Sequence, residues 1–222
     1  LFDERKCAHR FSYQLKNTFA HAGLALERFD YRGTGESSGN FSDVSLETLH
    51  RDIAEYVGNE SACLIGVRFG ASLAFDYSAD NNGLIRKLIL VEPIIEGEKY
   101  LDHLYRKQRI KNMMTAEPIA GSQDQDYENL EGYKTSRRFI QELYRFSLIE
   151  SAKKYKHDNA VYVVHTSDRP QVPCAIADFA KSLEISSCRI SLEQVPSPKF
   201  WHRIAITDYS CLTERILDYC HD

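Results

Sequence analysis

Residues Cys63–Ser78 read CLIGVRFGASLAFDYS. A short apolar run meets Gly66-Val67-Arg68-Phe69-Gly70, and a helix-like segment follows. Two glycines flank a central residue, one two positions before it and one two positions after. This is the pattern of a tight turn between a strand and a helix, in which flanking side chains would collide with neighbouring backbone. The central side chain is thrown up at the C-terminal edge of a sheet. It also stands at a helix N-terminus, where free N–H groups, beginning with that of Phe69, and the helix dipole favour negative charge. A serine at such a position would be a nucleophile, with those N–H groups stabilising an oxyanion. The residue is Arg68, which has no nucleophilic oxygen and stays protonated. A cation on a positive helix end requires an anion, supplied by a protein carboxylate or by a ligand.

The segments around this turn alternate. Arg10–Ala22 predicts a helix, with Phe11, Leu15 and Phe19 on one face and Gly23 as its stop. Leu24–Phe29 predicts a strand, followed by the glycine-rich turn DYRGTGESSG. Ser45 opens a helix continued by Glu47–Val57. Ser61–Ile65 predicts a strand, Phe69–Tyr77 a helix, and Ile85–Val91 a strand ended before Pro93. The pattern returns with strands at Ala160–His165 and Cys188–Val195 and helices at Pro173–Leu183 and Thr207–Tyr219. This order implies a mainly parallel sheet with helices on both faces. Between the halves, Ile94–His157 carries no clear strand and a polar loop at Ala120–Asn129. Inserted after a strand's C-terminal end, residues 94–157 would sit as a helical cap over the ligand-binding edge of a core made of residues 1–93 and 158–222.

Composition narrows the function classes. The 222 residues carry 28 basic and 32 acidic side chains, a formal charge of −4. That balance argues against bulk nucleic-acid binding, and no apolar run approaches the length of a membrane span. The six cysteines (Cys7, Cys63, Cys174, Cys188, Cys211 and Cys220) include no C-x-x-C pair, which argues against zinc and thioredoxin-like chemistry. Buried free thiols in a reducing cytoplasm are expected, with no metal and no cofactor. Gly33-x-Gly35 has its third glycine at Gly39, one position late for a dinucleotide fingerprint, so these glycines read as a structural turn.

Two further segments bear on chemistry. In YVVHTSDRPQVP a strand ends and Asp168 follows, where a triad acid would stand and where it could also pair with Arg68. In VPSPKFWHRIAITD, His202 lies in the region of a triad histidine, although aligning the aromatic residues puts Pro198 or Lys199 at the usual position. Trp201 could pack beneath the cap or line a pocket. Ser72 lies a helical turn beyond Arg68, too far along to replace a nucleophile there. Cys7 and Ser167 are the other nucleophiles near the same edge.

Together these segments resemble the α/β-hydrolase superfamily in its serine-aminopeptidase-like branch. The set FDERKCAHR, FDYRGTGESSGNF, GVRFGASLA, LVEPIIEGEKYL, LEGYKTSRRFIQEL and PSPKFW is similar, in order, to bacterial hydrolase-like proteins associated with exosortase A systems. One subgroup of these carries arginine at the elbow. The resemblance implies an α/β-hydrolase fold lacking its earliest strands, with LFDERK as the remnant of the oxyanion loop. It places Glu4 and Arg10 on that loop's acidic and basic positions, making Glu4 a second partner for Arg68. With the nucleophile replaced, it implies a degenerate triad retaining Asp168, with His202 displaced. The expected activity is binding of an anionic or acyl-bearing small molecule by Arg68, Glu4, Lys199 and Trp201. The alternatives are an ester, thioester or peptide hydrolase working through His202 and Asp168, and a non-catalytic structural or interaction protein.

Overall fold

The computed structural model describes residues 1–222 apart from 82, 116–124, 170, 185–187, 203, 205 and 222. In chain order its elements are α1 (Phe2–Cys7), α2 (His9–His21), α3 (Leu46–Val57), β1 (Ala62–Val67), α4 (Phe69–Asp80), β2 (Ile85–Val91) and α5 (Gly97–Thr115). They continue as β3 (Tyr127–Leu130), β4 (Tyr133–Ser136), α6 (Arg137–Arg145), α7 (Leu148–Lys154), β5 (Ala160–Thr166), α8 (Cys174–Glu184), β6 (Arg189–Val195) and α9 (Ser210–His221).

The helices begin and end where local chemistry directs. Ser45 caps α3 through a reciprocal pair, its hydroxyl accepting from the Thr48 N–H (3.2 Å) and its own N–H donating to the Thr48 hydroxyl (2.8 Å). Leu49, Ile53 and Val57 then recur every four residues and are buried. Phe11, Leu15 and Phe19 do the same on α2, which stops before Gly23 at φ 75°.

Strands β1, β2, β5 and β6 form one parallel sheet in that spatial order. Side chains alternate across it. Leu88 and Leu90 of β2 enter one apolar core with Leu73 and Phe75 of α4 and Phe179 of α8. Ile89 and Val91 enter the opposite core with Phe11 and Leu15 of α2 and Leu212 and Ile216 of α9. Both faces are therefore covered, which is why Leu88–Val91 of β2 and Ala160–Val164 of β5 read as continuous apolar runs. The register sets Val67 beside Val91, Val91 beside Val164, and Thr166 beside Val195. Arg68, Glu92 and the loops after β5 and β6 consequently rise from a single edge.

LFDERK, expected as a loop remnant, lies largely in helix α1, and the structure differs from the sequence-based expectation in three further places. Leu24–Phe29 is not a strand. Its backbone has no ladder partner among the described residues, because a groove of about 490 Å³ separates it from β1. Leu26, Phe29, Leu64 and Ile65 line that groove, and β1 is an edge strand. Secondly, the stretch between β2 and β5 does contain strands: β3 and β4 form an antiparallel hairpin. Four-residue strands this short give too little alternation to be read by period. The expected polar loop at 120–129 falls partly outside the described residues, and Tyr127–Asn129 belong to β3. Thirdly, Cys63 is exposed and Cys188 half-buried, because β1 lacks an outer neighbour and β6 is only partly covered.

The stretch between β2 and β5 is closed at its base. Gly97 N–H donates to the Phe146 carbonyl (2.9 Å) and Leu148 N–H to the Ile95 carbonyl (2.9 Å). A Cβ on Gly97 would lie 1.7 Å from the Leu143 carbonyl oxygen, so only glycine lets α5 start this close to α6. Leu101, Leu104, Leu130, Phe139 and Leu143 join the same core as the α4 face of the sheet.

Candidate functional site

The turn between β1 and α4 is as tight as its glycine suggests, on one side. A Cβ on Gly66 would meet Ala71 Cα at 2.3 Å and Ala71 N at 2.6 Å. A Cβ on Gly70 would meet nothing within 4 Å. The expectation of a steric need at both flanks thus holds at Gly66 and is corrected at Gly70, which sits in the open first turn of α4. Arg68 itself stands at φ 55°, ψ −127°, a region that non-glycine residues rarely occupy. Such a conformation costs about 1–3 kcal/mol and persists where surrounding contacts enforce it. Here the Arg68 N–H donates to the Val91 carbonyl (2.9 Å), and its carbonyl accepts from Ala71 N–H (2.9 Å).

The Arg68 guanidinium is mostly buried and engaged. Nε donates to Glu4 Oε1 (3.1 Å), Nη1 reaches the Glu92 carbonyl (3.5 Å), and the group lies over the Trp201 ring at 4.9 Å. Nη2 makes no hydrogen bond to a described residue. Of the two carboxylates the sequence offers Arg68, Glu4 is the one in contact. Glu4 is buried on α1, and its second oxygen accepts from the Tyr100 hydroxyl (3.0 Å). Tyr100 comes from α5 and stacks on Phe69 at 5.6 Å, so α1, the elbow and α5 meet at one carboxylate. Burial pushes the Tyr100 phenol well up, and the nearby Glu4 charge reinforces this, so Tyr100 acts as a neutral donor.

Helix α1 is held in place by Arg5, whose Nε and Nη2 both donate to Asp30 (2.8 Å each). These hydrogen bonds hold the Asp30 carboxyl below its ordinary value of 3.8; burial opposes the shift and the Glu36 N–H assists it. A depressed folded value means that the pair's contribution is full above about pH 4 and is lost as pH falls through that value. Asp30→Asn is therefore expected to cost about 1 kcal/mol at pH 7. The gap from the parent should narrow as pH falls below 3.8, measured by urea unfolding across the range.

The remaining site residues are placed as follows. Trp201 is buried against Phe200 and supports Arg68. His202 is exposed, with its ring 5.9 Å from that of His103 on α5. Partial burial pulls its imidazole below the ordinary value, and the positive charges of Arg68, His103 and Lys199 add to this, outweighing Glu4. Lys199 is exposed on the same loop. Asp168 is exposed after β5 and touches neither His202 nor Arg68, so no acid–base relay is assembled. The Phe69 N–H, at the first position of α4, makes no backbone hydrogen bond among the described residues. Ser72 is buried with its hydroxyl both donating to the Ile94 carbonyl (2.7 Å) and accepting from the Ile94 N–H (2.8 Å), a structural clamp. Arg10 turns outward to the Thr207 carbonyl (3.1 Å). Burial raises the Cys7 thiol, which leaves it a poor nucleophile.

Sequence reasoning missed Tyr100, Glu92 and His165. Glu92 is buried at φ 51° at the end of β2, and one of its carboxylate oxygens accepts from the Thr166 N–H (2.7 Å) and hydroxyl (2.9 Å). His165 Nδ1 lies 2.9 Å from the same oxygen. Glu92 and Tyr100 both fall in the segment LVEPIIEGEKYL, which marked them by position but not by partner. Among the described residues, no three His, Cys, Asp or Glu side chains are grouped to hold a metal ion. No described helix is long and apolar enough to cross a membrane.

Solved structures share this architecture. Est1E from Butyrivibrio proteoclasticus, determined with ferulic acid bound, superposes with a TM-score of 0.64 at 19% identity, over 94% of this chain and 81% of that one. Mouse alpha/beta hydrolase domain-containing protein 10 gives 0.62 at 18% identity, over 95% and 83%. A bromoperoxidase from Bacillus anthracis gives 0.60 at 13% identity, over 95% and 87%. No protein-family model and no curated protein matches the sequence. The chain has the α/β-hydrolase fold, and Arg68 occupies the apex of its strand-to-helix turn.

Proposed function

We propose that this chain is a non-hydrolytic α/β-hydrolase-fold protein that binds a small anionic or acyl-bearing molecule beneath a cap formed by residues 94–157. The observation that carries this reading is the state of Arg68. One edge of its guanidinium is held by Glu4, while Nη2 is left without a hydrogen-bond partner among the described residues. Lys199 adds positive charge to the same loop region, and Glu4 is the carboxylate in contact with the guanidinium. A ligand carboxylate or phosphate would complete the guanidinium and meet the Phe69 N–H at the N-terminus of α4. Trp201 and Tyr100 would fix the fork in place. The motif resemblance to exosortase-associated proteins suggests extracellular-polysaccharide or protein-sorting chemistry as the setting, and hence an acyl or glycosyl precursor.

Arg68→Lys tests this, because lysine keeps the charge and loses the planar fork. Calorimetric titration with medium-chain fatty acids, acyl phosphates and sugar phosphates should find saturable binding to the parent and at least a tenfold loss in the variant. Undiminished binding in the variant, or no saturation by any of these anions, would overturn the reading.

A second reading is favoured by the burial of Glu4. In it Glu4 is the resident anion, and the Glu4–Arg68–Tyr100 contacts lock a former active site in an interaction protein. The two readings share the ion pair and differ in whether an external anion competes for Arg68.

A further inference from the structure

Two thiols far apart in sequence face each other on the side of the sheet covered by α9. Cys63 on β1 and Cys220 in the last turn of α9 have their sulfurs 3.9 Å apart across 157 positions. Beside them is Lys87 of β2, the strand partner of Cys63. Its Nζ donates to the Tyr219 carbonyl (3.2 Å) and the Cys220 carbonyl (2.9 Å), the terminal carbonyls that α9 cannot satisfy internally. One ammonium thus pins the end of α9 over Cys63 and places a positive charge beside both sulfurs. Cys63 is exposed and Cys220 half-buried, so a small oxidant can reach them.

We infer that Cys63 and Cys220 form an oxidation site that closes to an intramolecular disulfide on exposure to a hydroperoxide. Cys220 reacts first. The Cys63 thiol donates toward its sulfur and holds it below the ordinary thiol range; burial opposes this and Lys87 assists. The same contact pushes Cys63 up, keeping it protonated as the donor. The Cys220 thiolate attacks one peroxide oxygen, the O–O bond breaks, and the departing hydroxide takes a proton to leave as water, giving a sulfenic acid. The Cys63 sulfur then attacks the Cys220 sulfur, the S–O bond breaks, and the hydroxyl leaves with the Cys63 proton as a second water. Two thiols and one hydrogen peroxide become one disulfide and two waters, with two electrons passing from the sulfurs to the peroxide. Bond formation requires the sulfurs to approach by about 2 Å. Side-chain rotation and the terminal turn of a helix, which is the part that frays most readily, supply this movement.

The remaining cysteines lack such a neighbour. Among the described residues no second pair of sulfurs is in contact, and all six thiols are free. The site is remote from Arg68 and does not depend on what the elbow binds.

The test is titration of the purified, reduced chain with hydrogen peroxide. The expected result is a loss of two thiols by Ellman's reagent, a mass decrease of about two hydrogens, and a Cys63–Cys220 cross-linked peptide on non-reducing digestion. The thermal midpoint should rise by about 5 °C, since the bridge constrains a long loop, and should return on adding dithiothreitol. Cys63→Ser should abolish the cross-link and divert Cys220 to its sulfenic and sulfinic forms. Lys87→Met should slow thiol loss several-fold, with circular dichroism confirming that the variant is folded. Overturning results are oxidation of Cys174 or Cys211 before this pair, intermolecular disulfides in its place, or equal thiol loss in Cys63→Ser and Cys220→Ser.

Discussion

Gly66→Ala is expected to prevent the protein from accumulating in folded form, while Gly70→Ala folds as the parent does. The added methyl at position 66 would lie 2.3 Å from Ala71 Cα and 2.7 Å from the Gly70 carbonyl oxygen. All its nearest neighbours are backbone, so relief requires moving β1 and α4 apart at the point where Arg68 is already held at positive φ. Forced overpacking against backbone costs about 3 kcal/mol or more, a large share of a typical stability. At position 70 the methyl enters open space in a helix, where alanine is favoured over glycine by roughly 0.5–1 kcal/mol. Soluble yield and the thermal midpoint by circular dichroism separate the two. A Gly66→Ala protein melting with the parent would show that the turn is more compliant than its geometry implies.

Arg68→Ser is expected to destabilise the chain by about 3–5 kcal/mol, because it leaves Glu4 charged, buried and held only by Tyr100. At roughly 2–4 °C per kcal/mol for a chain this size, the midpoint should fall by about 10 °C. Adding Glu4→Gln should recover part of the loss, since the uncompensated charge goes with it. The serine is not expected to hydrolyse p-nitrophenyl esters above background. It would stand at the right place on the turn, but His202 and Asp168 are not in contact and cannot pass its proton on. Ester turnover that disappears on His202→Ala would show that the relay assembles in solution. A melt indistinguishable from the parent would remove the basis for the locked-site reading.

Much of this architecture is legible in the chain because local signals and tertiary outcome agree. Ile85–Val91 reads as a strand and is one, since its Leu88–Val91 run, buried on both faces, has the same composition whatever its partners. Ser45 and Gly23 mark helix boundaries by chemistry that acts within four residues. What escapes is set by partners distant in sequence. Leu24–Phe29 has strand composition, yet a strand exists only beside another, and its neighbouring space is a groove. The hairpin β3–β4 is too brief to show a period. At the site, the oddity of Arg68 is plain from five letters, and Glu4 emerges as its partner from the order of motifs. Tyr100 stays hidden because nothing local records that its hydroxyl crosses 96 positions to reach Glu4.

The unpaired edge of β1 governs how the chain behaves when concentrated. Its sequence, Ala62-Cys63-Leu64-Ile65-Gly66-Val67, contains neither a charge nor a proline to repel an incoming strand. Facing it, residues 25–30 present backbone amides without ladder partners, and these amides should exchange with deuterium far faster than those shared by β2 and β5. If concentrated chains associate while folded, templated strand addition at this edge is the expected route, and Leu64→Lys is expected to lower light scattering at high concentration relative to the parent.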